Sequence, residues 1–144
     1  AYSIHRNWLQ NRPEDYSQSF LERILPGAFL SSSDYVDALR LRRKLTASFN
    51  QTISALDGVI AVSSMDAAFA IDDADDIALK YPRQARTPFN ITGNPALAIP
   101  TGFDDEGMPL AMQIVGKQFD ETMVYRIAGS YEAATKWHSR RPPL

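Results

Sequence analysis

The sequence contains no cysteine and only two histidines, and these shortages already limit its chemistry. Without cysteine, a disulfide framework and a thiolate metal site are excluded, and a reducing, cytoplasmic location is expected. His5 and His138 lie near opposite ends of the chain, and no recognised ligand spacing joins them to the scattered carboxylates. We therefore expect neither a metal site nor another cofactor.

Long apolar runs and an excess of one charge are missing as well. No run approaches the roughly 20 apolar residues that a helix needs to cross a bilayer, and a net charge of -2 leaves no basic footprint for nucleic acid. We expect neither a membrane nor a nucleic-acid partner. The 144 residues suffice for a single piece, residues 1–144. Because the chain starts at Ala1 rather than Met and is apolar from Tyr2, we expect a cut inside a longer chain.

Local patterns predict two helices in the first part of the chain. Pro13–Asp15 favours a helix start, and that helix should run to about Leu25. Ser31 and Asp34 form a capping-box-like pair at the start of a second, longer helix that Gly58 should end. Apolar residues recur along this second helix at spacings of mostly three or four, so one side should be buried: Tyr35, Leu39, Leu45, Phe49, Ile53 and Leu56.

Strands are predicted in the second part of the chain. Val59–Val62 is all apolar, which is typical of a strand buried on both faces in an α/β setting. Residues 63–86 show no sustained period, and we expect most of them to form loop. Ala96–Ile99 and Met108–Val115 should be strands joined by a hairpin loop in which Gly107 supplies a positive φ.

A final helix should begin after Asp120, its predicted N-cap, with Phe119 packing on Val124 as a hydrophobic staple. Its apolar stripe consists of Met123, Val124, Ile127, Ala128, Tyr131 and Ala134. Pro142-Pro143 prevents any continuation of that helix.

Three clusters invite a functional interpretation, and each has a simpler structural one. Ser63-Ser64 follows a strand, where α/β sites often form, but neither a base nor a Gly-x-Ser-x-Gly elbow lies beside it. Asp72–Asp76 lacks the alternating ligands and the Gly of a calcium loop, which favours a solvated loop. Arg40–Lys44 is basic, yet a solvated helix face partly paired with Asp34 and Asp37 is favoured over a phosphate or acidic partner.

Residues 87–103 are rich in glycine and proline, which indicates a backbone that turns sharply. Gly93-Asn94-Pro95 lacks the later glycines and the lysine of a phosphate loop. Composition alone therefore favours a turn between packed elements over a ligand site.

The run from Thr87 to Pro100, TPFNITGNPALAIP, resembles the C-terminal signature of the amidase family, which includes the A subunit of glutamyl-tRNA amidotransferase. Similar residues continue in order: Gly102-Phe103, Gly107, Pro109, Gln113–Gly116, Phe119–Glu121, Tyr131–Thr135 and Trp137-His138. The resemblance implies an α/β fold class. The chain would be the C-terminal part of a large mixed-sheet α/β/α amidase-signature fold, with a long helix, a buried strand, a β-hairpin and a C-terminal helix.

The resemblance also implies a function for a longer protein. Family members hydrolyse carboxamides or transfer their ammonia, using a Ser nucleophile, a second Ser in a cis peptide, and a Lys. In the family these groups lie upstream of the matched segment. No lysine of this sequence matches the catalytic motif, so we assign no catalytic residue and expect the chain alone to be inactive. The full-length protein would act on a small-molecule amide.

For residues of this chain, the resemblance implies a role in supporting the substrate pocket rather than in catalysis. Phe89, Asn90, Gly93, Asn94 and Pro95 are expected near the wall of the substrate pocket, with Asn90 satisfying buried backbone groups.

One segment departs from the family. The family often has a Thr-Pro-Thr-like turn beside the substrate pocket where this chain has Ser63–Phe69, which leaves the substrate class open. The alternative function is a stand-alone, non-catalytic binding or assembly module. Such a module would self-associate, or associate with the missing N-terminal portion, through an open sheet edge. An unrelated α/β domain with coincidental turns is a third interpretation.

Overall fold

The computed structural model describes residues 1–141. Contacts group the chain into two compact units, one from Ala1 to Leu41 and one from Arg42 onward. The expectation of a single piece over residues 1–144 stays a prediction. Six α-helices are present in the described residues: α1 Tyr2–Asn11, α2 Gln18–Ile24, α3 Ser32–Ile53, α4 Ala74–Lys80, α5 Thr87–Thr92 and α6 Glu121–Ala134. None of these helices is long and apolar enough to cross a membrane.

The predicted helix from Pro13 to about Leu25 ends where expected, with α2 at Ile24, but it is wrong as one continuous helix. Pro13–Asp15 forms a single 3₁₀ turn, and the chain is extended at Tyr16 before α2 begins. Contacts with α1, itself not predicted, account for the break. The Tyr16 hydroxyl is hydrogen-bonded to Nδ1 of His5 at 3.0 Å, and its ring stacks on Phe20 with centroids 5.3 Å apart. These contacts fix Tyr16 outside a helical conformation.

The capping box of α3 is confirmed. The Ser31 amide donates to Asp34 Oδ2 at 2.8 Å, and the Asp34 amide donates to Ser31 Oγ at 3.1 Å. The hydrogen bonds from the Ser31 hydroxyl and amide lower the pKa of Asp34 below its usual value. The helix ends at Ile53, before the predicted stop at Gly58.

The expectation that one whole side of this helix is buried is wrong for four of its six predicted residues, since Tyr35, Leu39, Leu45 and Leu56 are exposed. Tyr35 is 65% exposed and Leu39 42%, whereas Ile53 near the end is 2% exposed. Helical periodicity identifies an apolar stripe, but burial of the stripe depends on what covers it. In the described residues, only the end of the helix is covered.

Three antiparallel strands form the sheet in the order β1-β3-β2: β1 Val59–Val62, β2 Ala96–Phe103 and β3 Pro109–Val115. Val115 lies opposite both Val59 and Ala96. The β2–β3 hairpin is confirmed. Asp104 Oδ1 accepts hydrogen bonds from the amides of Glu106 and Met108, and Gly107 has a φ of +83°. Both predicted strands are present, with β2 extending beyond Ile99 to Phe103.

Strand β1 exists as predicted, but burial on both of its faces is wrong. Ile60 is 64% exposed and Val62 51%, because β1 lies at one edge of the sheet in the described residues. The central strand β3 carries the most deeply buried side chains, Ile114 and Val115. An all-apolar run of four residues did not distinguish an edge strand from a central one.

Helix α6 packs on the sheet through a core of Ile99, Ile114, Val124 and Ala128. Asp120 caps it as predicted, since Oδ1 accepts from the Met123 amide at 3.2 Å. The predicted staple is wrong: Phe119 has a positive φ of 62° and is 92% exposed, so its ring does not pack on Val124. The last member of the predicted stripe, Ala134, is exposed. The expected stop at Pro142-Pro143 lies outside the described residues.

Most of the acidic segment is exposed as expected, but from Ala74 onward it forms a helix rather than a loop. Asp73 caps α4 by accepting from the Asp76 amide at 2.9 Å, and Asp76 pairs with Lys80 one turn later. Carboxylates in a first helical turn are favourable because they face the positive end of the helix dipole. The expectation of loop holds for the rest of residues 63–86, apart from isolated turns.

Candidate functional site

The family-like segment 87–95 contains a short helix where a sharp turn was expected. Pro88 lies in the first turn of α5, where its missing N–H costs nothing. Gly93 ends the helix in the left-handed conformation with φ 76°, a role that suits glycine. The composition of the segment therefore reflects the two ends of one helix.

The C-terminal carbonyls of α5 are bound by side chains from distant segments. Arg42 Nε donates to the Ile91 carbonyl at 2.7 Å, and Gln118 Nε2 donates to the Thr92 carbonyl at 3.0 Å. Arg42 belongs to the basic cluster expected to be solvated, and it is exposed, but it also binds this helix end, which was not expected. The pairing of Arg40 with Asp37, at 3.0 Å, is present.

Asn94 and Phe89 anchor this segment to the rest of the molecule. Asn94 is 6% exposed, and its Nδ2 donates to the Gly116 carbonyl at 2.9 Å and to Asn50 Oδ1 at 3.1 Å. Phe89 is 9% exposed and lies 5.7 Å, centroid to centroid, from Phe49 of α3. The Pro95 carbonyl accepts from the Gly116 amide at 3.0 Å.

The scaffolding task expected of Asn90 is carried out by Asn94 instead. Asn90 is exposed. Phe89 and Thr92, three positions apart, share the buried face of α5, and the next residue after Phe89 is turned about 100° away from it. The structure thus places Phe89, Asn94 and Pro95 in packed positions and Asn90 at the surface.

A cleft of about 670 Å³ lies between α3 and α5. Phe49 and Leu45 of α3 border it, as do Pro88 and Ile91 of α5, and Gln84 also lines it. The five residues predicted near a pocket wall do not line this cleft. Their neighbours on α5 do, and Phe89 contacts one lining residue, Phe49.

A second cleft of about 350 Å³, called here the β1 cleft, begins where strand β1 ends. Ser63, Ser64 and Asp66 line it, and Gln84 lies between the two clefts because it borders both. The segment is held by an ion pair of Arg83 with Asp66 Oδ1 at 2.9 Å and by a hydrogen bond from the Met65 amide to the Arg83 carbonyl at 3.2 Å.

The β1 cleft shows no activated nucleophile within residues 1–141. Ser64 Oγ accepts from the Asp66 amide at 3.5 Å, and neither Ser63 nor Ser64 is hydrogen-bonded to a lysine, histidine or carboxylate side chain. The side chain of Lys80 is engaged by Asp76, and that hydrogen bond raises its pKa. In the same part of the chain, no three His, Asp or Glu side chains converge on a metal-sized space. The arrangement can bind and position a group, but it lacks the base that a serine nucleophile needs.

The sequence interpretation missed Gln84 and the Arg83–Asp66 pair. The ion pair joins residues 17 positions apart, across a segment without periodicity. The hydrogen bond between Asn94 and Asn50, which lie 44 positions apart, could not be predicted either. The only signal in the sequence was the departure of Ser63–Phe69 from the family pattern.

Comparisons with known proteins agree with the α/β arrangement. The sequence profile of the Amidase family matches residues 2–125. The A subunit of glutamyl-tRNA(Gln) amidotransferase from Halalkalibacterium halodurans is 37% identical over 142 residues, covering 94% of this chain and 29% of that protein. The crystal structure of an amidase matches with a TM-score of 0.81 at 26% identity, over 93% of this chain and 32% of that one. 6-Aminohexanoate cyclic dimer hydrolase, at 23% identity and a TM-score of 0.74, covers 90% of this chain and 30% of its own, and shares the fold.

The fold and the α5–Gly93–β2 segment define a portion of an amidase-signature α/β structure. The chain belongs to the amidase family, which confirms both the resemblance and the expected fold class. It spans 29% of the length of the curated relative described above.

Proposed function

We propose that this chain is the C-terminal part of an amidohydrolase that cleaves carboxamide C–N bonds. The observation that carries the proposal is the match to an amidase profile over residues 2–125, in a chain that covers 29% of its amidotransferase relative. In the longer protein, a Ser nucleophile, a cis Ser and a Lys upstream of this chain perform the acyl transfer. The serine attacks the carbonyl carbon, ammonia or an amine leaves, and water releases the acyl group.

The part played by this chain is to support the substrate pocket. Phe89, Asn90, Gly93, Asn94 and Pro95 are the residues proposed near the pocket wall. The buried hydrogen bond of Asn94 to the Gly116 carbonyl and the contact of Phe89 with Phe49 support this role, because they anchor α5 and the residues that follow it. No catalytic residue is assigned to this chain.

The proposal extends to partners and location. The substrate is a small amide bound by the full-length protein. The relative from Halalkalibacterium halodurans is named as one subunit of an amidotransferase. By analogy, this protein associates with other chains. A cytoplasmic location is proposed from the absence of cysteine.

The coding sequence upstream of Ala1 tests the proposal. We expect an open reading frame that encodes a Gly/Ser-rich segment preceded by a lysine. An in-frame stop codon close to Ala1, with no such segment before it, would contradict the proposal.

A stand-alone assembly module is the second candidate function. It is favoured by strand β1, which lies at a sheet edge in the described residues with Ile60 64% exposed. Such an edge pairs readily with another strand. Light scattering of the purified chain separates the candidates: a defined oligomer supports the module, and a clean monomer counts against it.

A further inference from the structure

The β1 cleft contains two hydrogen-bond acceptors that have no donor. Asp66 Oδ2 and Gln84 Oε1 are both buried, and no group in residues 1–141 donates to either. Both residues line the cleft. A buried acceptor without a donor loses its hydration and gains nothing in return, so a bound donor group would relieve this cost.

The other polar atom of each of these two side chains is already hydrogen-bonded within the segment. Asp66 Oδ1 is engaged by Arg83 at 2.9 Å, which leaves Oδ2 without a partner. The Gln84 amide nitrogen donates to the Tyr81 carbonyl, so the amide oxygen is the free end of that side chain. Arg86 also borders the cleft, but it is bonded to neither acceptor.

The free carboxylate oxygen is buried, but it belongs to a side chain that is itself partly exposed. The Asp66 side chain keeps 18% of its surface exposed. The terminal torsion of an aspartate is soft, so a small rotation presents Oδ2 to a ligand without breaking the backbone contacts of the segment. A ligand that enters here meets two acceptors, one of them charged.

We propose that the β1 cleft binds an N–H donor group of the substrate, either an ammonium or a carboxamide N–H, through Asp66 and Gln84. The inference rests on the proposed function, because it assigns this recognition to a substrate of the same pocket. It makes Asp66 and Gln84 specificity-determining residues. Substrates that carry an N–H group in addition to the scissile amide are favoured over those that present a carboxylate there.

Titration of the ¹⁵N-labelled 144-residue chain tests the proposal by NMR. The probes share one alkyl group: butylammonium as a charged donor, butyramide as a neutral donor, and butyrate as an acceptor-only control. At millimolar concentrations we expect at least one donor probe, but not butyrate, to shift the amide resonances of residues 63–67 and 84. Comparison of the two donor probes shows whether charge is required.

The variant Asp66→Asn keeps the shape of the side chain and can put an amide NH₂ in place of the free oxygen. We expect it to weaken binding of the preferred donor probe roughly tenfold or more. Asp37→Asn is the matched control, since it removes an exposed carboxylate from another ion pair. Gln84→Met gives an independent test if the spectrum of Asp66→Asn is not native, and it too should weaken binding.

Several results would overturn the inference: no shifts with either donor probe, equal binding of butyrate, or unchanged affinity in both Asp66→Asn and Gln84→Met. The titration needs no catalysis. A failed titration therefore leaves the proposed amidase function standing, and an inactive full-length protein leaves a positive titration standing.

Discussion

Replacement of Asn94 by alanine should destabilise the chain far more than the same replacement at Asn90. Asn94 donates a buried hydrogen bond to the Gly116 carbonyl and a half-buried one to Asn50 Oδ1, whereas Asn90 is exposed. Truncation leaves both acceptors without this donor, and each buried acceptor left unpaired costs about 1–3 kcal/mol.

For two acceptors these penalties add up to about 2–6 kcal/mol, and we expect the loss of unfolding free energy to lie at the lower end of that range. Asn94 Oδ1 is itself buried without a partner, so its removal relieves one penalty. Asn50 is only half-buried, so water can replace part of its lost bond. We therefore expect Asn94→Ala to lower the free energy of unfolding by about 2 kcal/mol and Asn90→Ala by less than about 0.5 kcal/mol.

Urea unfolding followed by far-ultraviolet circular dichroism measures both values. The midpoint should fall for Asn94→Ala while the slope with denaturant stays unchanged, which indicates a change in stability rather than in the denatured state. Equal losses for the two variants would refute the assignment of the scaffolding role to Asn94. Asn94→Asp should be worse than alanine, because it places a carboxylate against two acceptor oxygens.

Phe89→Ala should cost about 3 kcal/mol in the urea experiment, since it empties a buried position beneath α5. Gly116→Ala should cost about 1–3 kcal/mol, because its new Cβ would lie 2.6 Å from Cγ2 of Val124. Gly129→Ala in open space within α6 should instead raise stability by about 0.5–1 kcal/mol, and a loss there would contradict the packing described. The pKa of Asp34 is lowered, so its contribution is present above the ordinary value of 3.8 and is lost as the pH falls through the lowered pKa. An NMR titration should show that carboxyl protonating below 3.8, and protonation at or above 3.8 would contradict the capping box.

Features set by neighbouring residues could be predicted from the sequence. The Ser31–Asp34 capping box, the Asp120 cap and the Gly107 hairpin loop each depend on two or three residues close in the chain. The N-cap formed by Asp73 on α4 is equally local, since it joins residues three positions apart. It was not predicted because a run of aspartates suggests a loop.

Features set by distant contacts could not be predicted. Whether Val62 is buried depends on what lies beside β1, and the position of Tyr16 depends on His5, eleven residues away. The choice between Asn90 and Asn94 depends on which residues of α5 face inward and on where the chain places Asn94 after Gly93 ends the helix. A short helix with Pro88 in its first turn and Gly93 at its end has the same composition as a turn. The sequence therefore did not predict which of its side chains face inward.

Ammonia release from primary carboxamides, measured in parallel for the purified 144-residue chain and for the longer protein encoded with it, tests the central claim most directly. We expect release by the longer protein and none by the chain alone, because the chain lacks a nucleophile paired with a base in its described residues. Turnover by the 144-residue chain itself would contradict that claim, and so would a longer protein that releases no ammonia from any carboxamide.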